Sequence, residues 1–197
     1  MSAIIAPCAL ILAAGEGRRF QEAAGQGSDK LLARCRGLDG IERSVIEQVL
    51  RNLGEAVERR VLVTRTHKTQ VIEVAQAYGC EVVLLDSAGM GDSLRTGVEA
   101  SANADGWLVC LGDMPFVTAG TFAKVRRSMA LERISIAHGP QGQGHPVGFG
   151  RAFREQLLLL RGDQGARRLF AEEHLHRVAC DDLGIYRDVD RPDDLIE

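Results

Sequence analysis

Two short stretches carry residue types that could handle a phosphorylated ligand. The first, Leu12-Ala13-Ala14-Gly15-Glu16-Gly17-Arg18-Arg19, sets small residues and glycines ahead of two arginines. Small side chains let backbone N–H groups reach phosphate oxygens, and a following helix end adds partial positive charge. Two better-known cradles fail the comparison. A Walker loop needs Gly-Lys-Ser/Thr, which the chain lacks, and a Rossmann fingerprint needs a third glycine where Phe20 stands. On these residues alone, a surface loop with incidental glycines stays open. The second stretch, Leu111-Gly112-Asp113-Met114-Pro115, closes an apolar run with an acid. A carboxylate at such a strand end can hold Mg²⁺ against phosphate oxygens. An ordinary turn residue before proline is the other reading.

The elements that must position these residues follow a βα rhythm. Strands are expected over 9–13, 61–63, 81–85 and 107–111. Between them, Ile41, Val45, Ile46, Val49, Leu50 and Leu53 recur at helical spacing, as do Val71, Val74, Ala75 and Tyr78. Gly54 and Gly79 supply stops, a third helix is expected over 92–102, and Thr118 is a candidate N-cap for a fourth reaching about 129. Strands alternating with helices imply a mostly parallel, Rossmann-like sheet in a three-layer α/β/α sandwich. Ligands bind such sheets at the carboxyl ends of strands, which selects the loops after Ala13 and Leu111. Beyond about 133 the rhythm changes. Short strands are expected over 134–138 and 146–149, helices over 151–160 and 164–174, and strands near 177–180 and 185–189. One domain over 1–197 is expected, with a first half to about 132 and an appended half after it that carries the second substrate.

Bulk composition narrows the classes. The chain has 197 residues, 45% hydrophobic and 26% charged, with a net charge of -3. That is ordinary globular composition, and the sign argues against a nucleic-acid partner. Lys30, Lys68 and Lys124 are the only lysines among many arginines, which suit bidentate phosphate contacts. A GC-rich genome would explain the surface arginines equally well. Cys8, Cys35, Cys80, Cys110 and Cys180 form no Cys-x-x-Cys pair; an odd, scattered set fits a reducing compartment. Cys80 and Cys110 read as small core hydrophobes. His138, His174 and His176 show no metal-ligand spacing. The apolar stretch from Ala3 to Ala14 has its positive residues after it, the wrong polarity for a secretory signal, and is too short to span a bilayer. A soluble cytoplasmic protein is the expectation.

Together the motifs resemble the MobA-like nucleotidyltransferases, and among them the molybdenum cofactor cytidylyltransferases more than the guanylyltransferases. The family's opening loop reads here as Leu12 to Phe20, followed by Lys30-Leu31-Leu32. Its later segments stand at Gly89-Met90-Gly91-Asp92-Ser93-Leu94, Leu111 to Pro115, Gly144-His145-Pro146, Gly162 to Arg167 and Asp188 to Leu195. Departures are Gln21 for a glycine, Gly91 for a serine, Arg191 for a threonine, and about six extra residues before Lys30 that predict a longer, mobile loop.

The resemblance implies attack of a phosphate monoester on the α-phosphorus of a nucleoside triphosphate, with release of pyrophosphate. It makes the half to about 132 the nucleotide-binding half and the one after it the acceptor half. A monoester has a second pKa of about 6 and is already largely dianionic at neutral pH, so no catalytic base is required. The barrier is mutual repulsion, lowered by positioning and neutralisation. Arg19 and Lys30 would hold the triphosphate with N–H groups from Ala14, Gly15, Glu16 and Gly17. Asp113 would hold Mg²⁺, with Asp190 a second ligand and Asp188 the weaker candidate of that pair. Base recognition would fall to Leu12, Ala13 and the Gly89–Ser93 segment, and Ala14 points to CTP, because cytidylyl enzymes of the family carry Ala-Ala-Gly. His145, Asp163 and Arg167 would face the acceptor, molybdopterin in the nearest relatives. Alternatively, His145 shapes a turn, Asp163 caps a helix, and Arg167 is a surface cation. Also open are GTP as donor, a sugar or polyol phosphate as acceptor, and a silent carrier serving a molybdoenzyme or its chaperone.

Overall fold

The computed structural model describes residues 6–86 and 89–195; Ala3 to Ile5 of the apolar N-terminal stretch lie outside them. Strands β1 (Cys8–Leu12), β4 (Arg59–Thr64), β5 (Glu81–Leu84), β6 (Gly106–Leu111), β7 (Ile134–Gly139), β8 (Gly142–Gly150) and β9 (Leu175–Ala179) form one sheet in the order β5-β4-β1-β6-β8-β7-β9. Only β8 runs against the others. A separate hairpin, β2 (Arg34–Arg36) and β3 (Glu42–Ser44), was not legible as strands.

Alternation along β1 shows how the layers form. Ala9 and Ile11 join one core with residues of α2 (Val45–Leu53), α3 (Thr69–Ala77) and α5 (Ala119–Ser128). Cys8 and Leu10 join the other with residues of α4 (Met90–Ala100) and α6 (Arg154–Leu158). A strand buried on both faces requires helices on both, which is the three-layer sandwich. All five cysteines are buried, and Cys80 and Cys110 pack as hydrophobes. Among the described residues no helix is long and apolar enough to cross a membrane.

Among the described residues Arg65 Nη2, Arg95 Nε and His145 Nδ1 are buried without a hydrogen-bond partner, whereas the core's indole is paired. Trp107 on β6, fully buried, donates its Nε1–H to Ser101 Oγ at 2.9 Å, and that hydroxyl donates to the Gly97 carbonyl at 2.6 Å. Ser101→Ala leaves the indole N–H without a partner and is expected to lower stability by about 1–3 kcal/mol, read by urea unfolding.

Four local expectations give way in the folded chain. Ile41 does not begin α2. Ser44 caps that helix, accepting from the Glu47 N–H at 3.3 Å, and Ile41 lies in the preceding hairpin turn. The helix expected over 151–160 is a 3-10 turn (Arg151–Phe153) followed by the short α6, and that over 164–174 shrinks to a 3-10 turn at Ala166–Leu169. The strand expected over 185–189 is instead a 3-10 turn at Leu183–Tyr186, started by Asp182 accepting from the Gly184 N–H at 2.9 Å. A Cβ on Gly144 would sit 2.3 Å from the Ile185 carbonyl oxygen, so this turn lies directly over β8. Thr118 does cap α5, accepting from the Thr121 N–H at 3.2 Å.

Candidate active site

β1 and β6 lie side by side in the sheet, so their carboxyl ends bring the two stretches together. The Gly112 N–H donates to the Leu12 carbonyl at 2.9 Å. A Cβ at Gly112 would stand 3.0 Å from that oxygen and 3.3 Å from the Ala13 Cβ, so glycine sets the close approach.

The glycine-rich loop leads into α1 (Arg18–Ala24), with Gly17 at φ 65°, a conformation that favours glycine. This helix and a hydrogen-bonded turn at Gly25–Ser28 take up most of the stretch read as a longer loop. Two side chains at the end of β4 hold the loop's carbonyls: Thr64 Oγ1 donates to Ala13 at 3.1 Å and Arg65 Nε to Ala14 at 2.8 Å. None of the described residues accepts a hydrogen bond from the backbone N–H groups of Ala14, Gly15, Glu16 or Gly17. Successive backbone donors can form an anion-binding concavity when they converge.

Lys30, only 8% exposed, lies beneath Gly17 with its Nζ 2.6 Å from Asp113 Oδ2 and 3.3 Å from Asp190 Oδ1. Arg19 pairs with the other oxygen of Asp190. Burial alone would lower the Lys30 pKa, but the two carboxylates outweigh it and hold the ammonium above its ordinary value. Chain ends meet here because the Val189 N–H donates to the Asp113 carbonyl at 2.8 Å, and Asp194 accepts from the N–H groups of Asp190 and Arg191 at 2.9 and 2.7 Å. Asn52 on α2 steadies the other side, donating to the Pro115 and Val117 carbonyls at 2.9 and 2.8 Å. Asp188 is close enough that desolvation, with Asp113 and Asp190, pushes its carboxyl above the ordinary range. Among the described residues no three His, Cys, Asp or Glu side chains cluster as a preformed metal cage. The oxygen donors that converge are Asp113 and Asp190, sharing one ammonium.

Beside this cluster a cavity of about 610 Å³ opens between the first turn of α4, the ends of β6 to β8, and the Ala166–Leu169 turn. Leu12, Met90, Leu94, Val147, Phe149 and Phe170 give it an apolar floor, while His138, His145, Arg167 and Arg177 add polar groups. His145 reaches it through a bulge: Ile136 pairs with Val147 and His138 with Gln143, so Gly144-His145-Pro146 oppose Ala137 alone. Pro146 has no N–H to donate to a ladder, which suits it to that break. Burial depresses the His145 pKa, while the Asp113 charge and the Val109 carbonyl oppose that. Its imidazole is therefore expected to titrate below 6.5, so stability present above that pH is lost as pH falls. An NMR titration with a midpoint at or above 6.5 would contradict this.

Of the residues read as facing an acceptor, His145 and Arg167 line the cavity. Asp163 does not. It is exposed, and it caps no helix, because Gly165 precedes the 3-10 turn. Gly89 and Ser93 start α4, but the Ser93 hydroxyl donates to the Gly89 carbonyl at 3.1 Å and the side chain is buried. Gly89 and Gly91 pack backbone to backbone on residues 161–164: the Gly91 N–H donates to the Gly162 carbonyl at 2.8 Å, and a Cβ at Gly89 would meet that oxygen at 2.1 Å. Gly91 in place of serine is explained by this contact. Sequence reasoning missed Arg65 and Arg177. Arg65 could have been found, because it follows β4, the strand beside β1, and strand ends are where ligands bind.

Residues 9–178 match the family described as the MobA-like NTP transferase domain. The chain belongs to that family. A curated relative, the bifunctional protein GlmU of Rhodopseudomonas palustris (strain BisA53), is 28% identical over 160 residues, which is 79% of this chain. The chain spans about a third (32%) of that protein's length. Rv0371c from Mycobacterium tuberculosis H37Rv shares the fold at a TM-score of 0.78 and 24% identity, with 96% of each chain covered, and has also been solved in complex with manganese. 4-Diphosphocytidyl-2C-methyl-D-erythritol synthase from Anaerococcus prevotii DSM 20548 shares it at 0.69 and 16% identity, covering 96% of this chain and 92% of its own. The solved structures share the fold of this MobA-like chain, and the family match carries its assignment as an NTP transferase domain.

Proposed function

We propose that this protein transfers a nucleoside monophosphate, CMP from CTP, to the phosphate of a molybdopterin-type acceptor with release of pyrophosphate. The observation that carries this reading is the Arg19–Asp190–Lys30–Asp113 cluster, set between a loop of open N–H groups and a cavity large enough for a second substrate. Without substrate, both cations of the cluster rest on its acids, so the site is neutralised internally. Triphosphate would draw Arg19 and Lys30 to its oxygens and free the two carboxylates. Asp113 and Asp190 are hard oxygen donors suited to Mg²⁺, which commonly takes one or two carboxylates and completes its shell with phosphates. The metal, when bound, offsets charge developing on the phosphates.

The acceptor's dianionic phosphate needs no base, so these residues act by positioning and neutralisation. Leu12 and Met90, read as base-facing, line one side of this cavity. The apolar floor at Val147, Phe149 and Phe170 suits a flat acceptor heterocycle better than a polyol, with Arg167 and Arg177 beside it for anionic groups. Ala14, 4% exposed at the root of the loop, supports the smaller base. A second reading, a polyol or sugar phosphate acceptor, rests on the likeness to the erythritol synthase and GlmU. A pyrophosphate-release screen of CTP, GTP, ATP and UTP against molybdopterin and a phosphosugar panel decides between them. CTP with molybdopterin should respond most. A larger thermal shift with GTP than with CTP would overturn the base assignment.

A further inference from the structure

Arg65 lies outside every segment that carries the family pattern, yet its guanidinium reaches the loop at two points. Its Nε donates to the Ala14 carbonyl at 2.8 Å, and its Nη2 lies 3.2 Å from a Glu16 carboxylate oxygen. The side chain is 12% exposed, so this is not a floating surface pair. Both partners are groups that a polyanion would have to avoid. A carbonyl turned toward the ligand would repel phosphate oxygens, and Glu16 is the one acid in the Leu12–Arg19 loop. Thr64, the residue before, holds the Ala13 carbonyl in the same way, so the end of β4 ties down two successive carbonyls of the loop. Next to them lie the N–H groups of Ala14 to Gly17, which no described residue accepts from.

We infer that Arg65 is a positioning residue for triphosphate binding: it turns the Ala14 carbonyl and the Glu16 carboxylate away so that the loop presents N–H groups alone. This rests on the nucleotidyltransferase reading above. Its Nε makes the hydrogen bond, while its Nη2, buried without a hydrogen-bond partner, faces Glu16 as an ion pair beside the Arg18–Glu16 pair. A lysine would offer one point charge in place of this fork.

Calorimetry with Mg²⁺–CTP and with inorganic tripolyphosphate tests it on the full chain. Arg65→Met keeps the aliphatic stem and is expected to weaken both ligands by about tenfold or more, the scale of a lost charge-assisted hydrogen bond. Its melting temperature should stay near that of the wild type. Arg65→Lys should recover only part of the affinity, and it carries the test alone if Arg65→Met fails to fold. Either folded variant binding both probes within about twofold of wild type overturns the inference. So does a fall in melting temperature with both dissociation constants unchanged, the mark of a merely structural arginine. Wild-type protein that binds neither probe removes the nucleotide reading itself, and this inference with it.

Discussion

Asp113→Ala is expected to reduce pyrophosphate release by about a thousandfold or more while the protein stays folded. A metal ion at a phosphoryl centre contributes several kcal/mol of charge stabilisation, and each 1.36 kcal/mol is about tenfold in rate. Asp113 is the carboxylate nearest the Lys30 ammonium, at 2.6 Å, and it stands at the junction of β6 with the loop after β1. The structural consequence is smaller. Asp113 is 24% exposed, and Asp190 remains 3.3 Å from the buried Lys30 ammonium, so the loss of stability should be about 1–3 kcal/mol, between an exposed and a fully buried pair. Steady-state pyrophosphate release beside a thermal melt separates the two effects. Activity above about a tenth of wild type, in a variant that melts normally, would remove Asp113 from the metal site.

Lys30→Met is expected to have a comparable effect by a different route. Methionine matches the length of the buried stem but leaves Asp113 and Asp190 facing each other with only Arg19 to offset them. Arg19 is 70% exposed and screened by water, so it is a weak substitute until phosphate arrives. Like charges brought together raise carboxyl pKa values, and the incoming triphosphate meets two acids without their cation. Triphosphate affinity should fall at least about tenfold, and turnover by about a hundredfold or more. A pH series gives an independent reading. The folded-state pKa of Lys30 lies above its ordinary 10.5, so its ion pairs stabilise the protein fully below that pH, and this contribution is lost as pH rises through the folded value. Chemical denaturation across the alkaline range should show that loss in wild type and not in Lys30→Met. Equal alkaline profiles would mean that the Lys30 pairs do not contribute to stability.

Residues close in sequence announced their roles. The apolar run into small residues and glycines marks β1 and its loop, Thr118 marks the start of α5, and the apolar spacing after Val45 marks α2. Each depends on local geometry: a strand's pleat, a cap's reach, a helix's turn. Lys30, Asp113 and Asp190 were each legible as candidates, yet they lie 83 and 160 residues apart, and no local rule states that they share an ammonium. The parallel sheet and the Val189 N–H to Asp113 carbonyl bond decide that.

Where local signals misled, long-range backbone contact was the cause. Residues 164–174 have helical composition, but docking of the 161–164 turn on Gly89 and Gly91 leaves only a 3-10 turn and turns Asp163 outward. Residues 185–189 read as a strand, but β8 already pairs with β6 and β7, and Gly144 admits a 3-10 turn against it. The sequence by itself determined that a glycine-rich loop and an acid each close an apolar strand, because those are properties of short segments. Only the tertiary structure decided which charges meet there and which side chains hold the loop, because packing between distant backbones sets both.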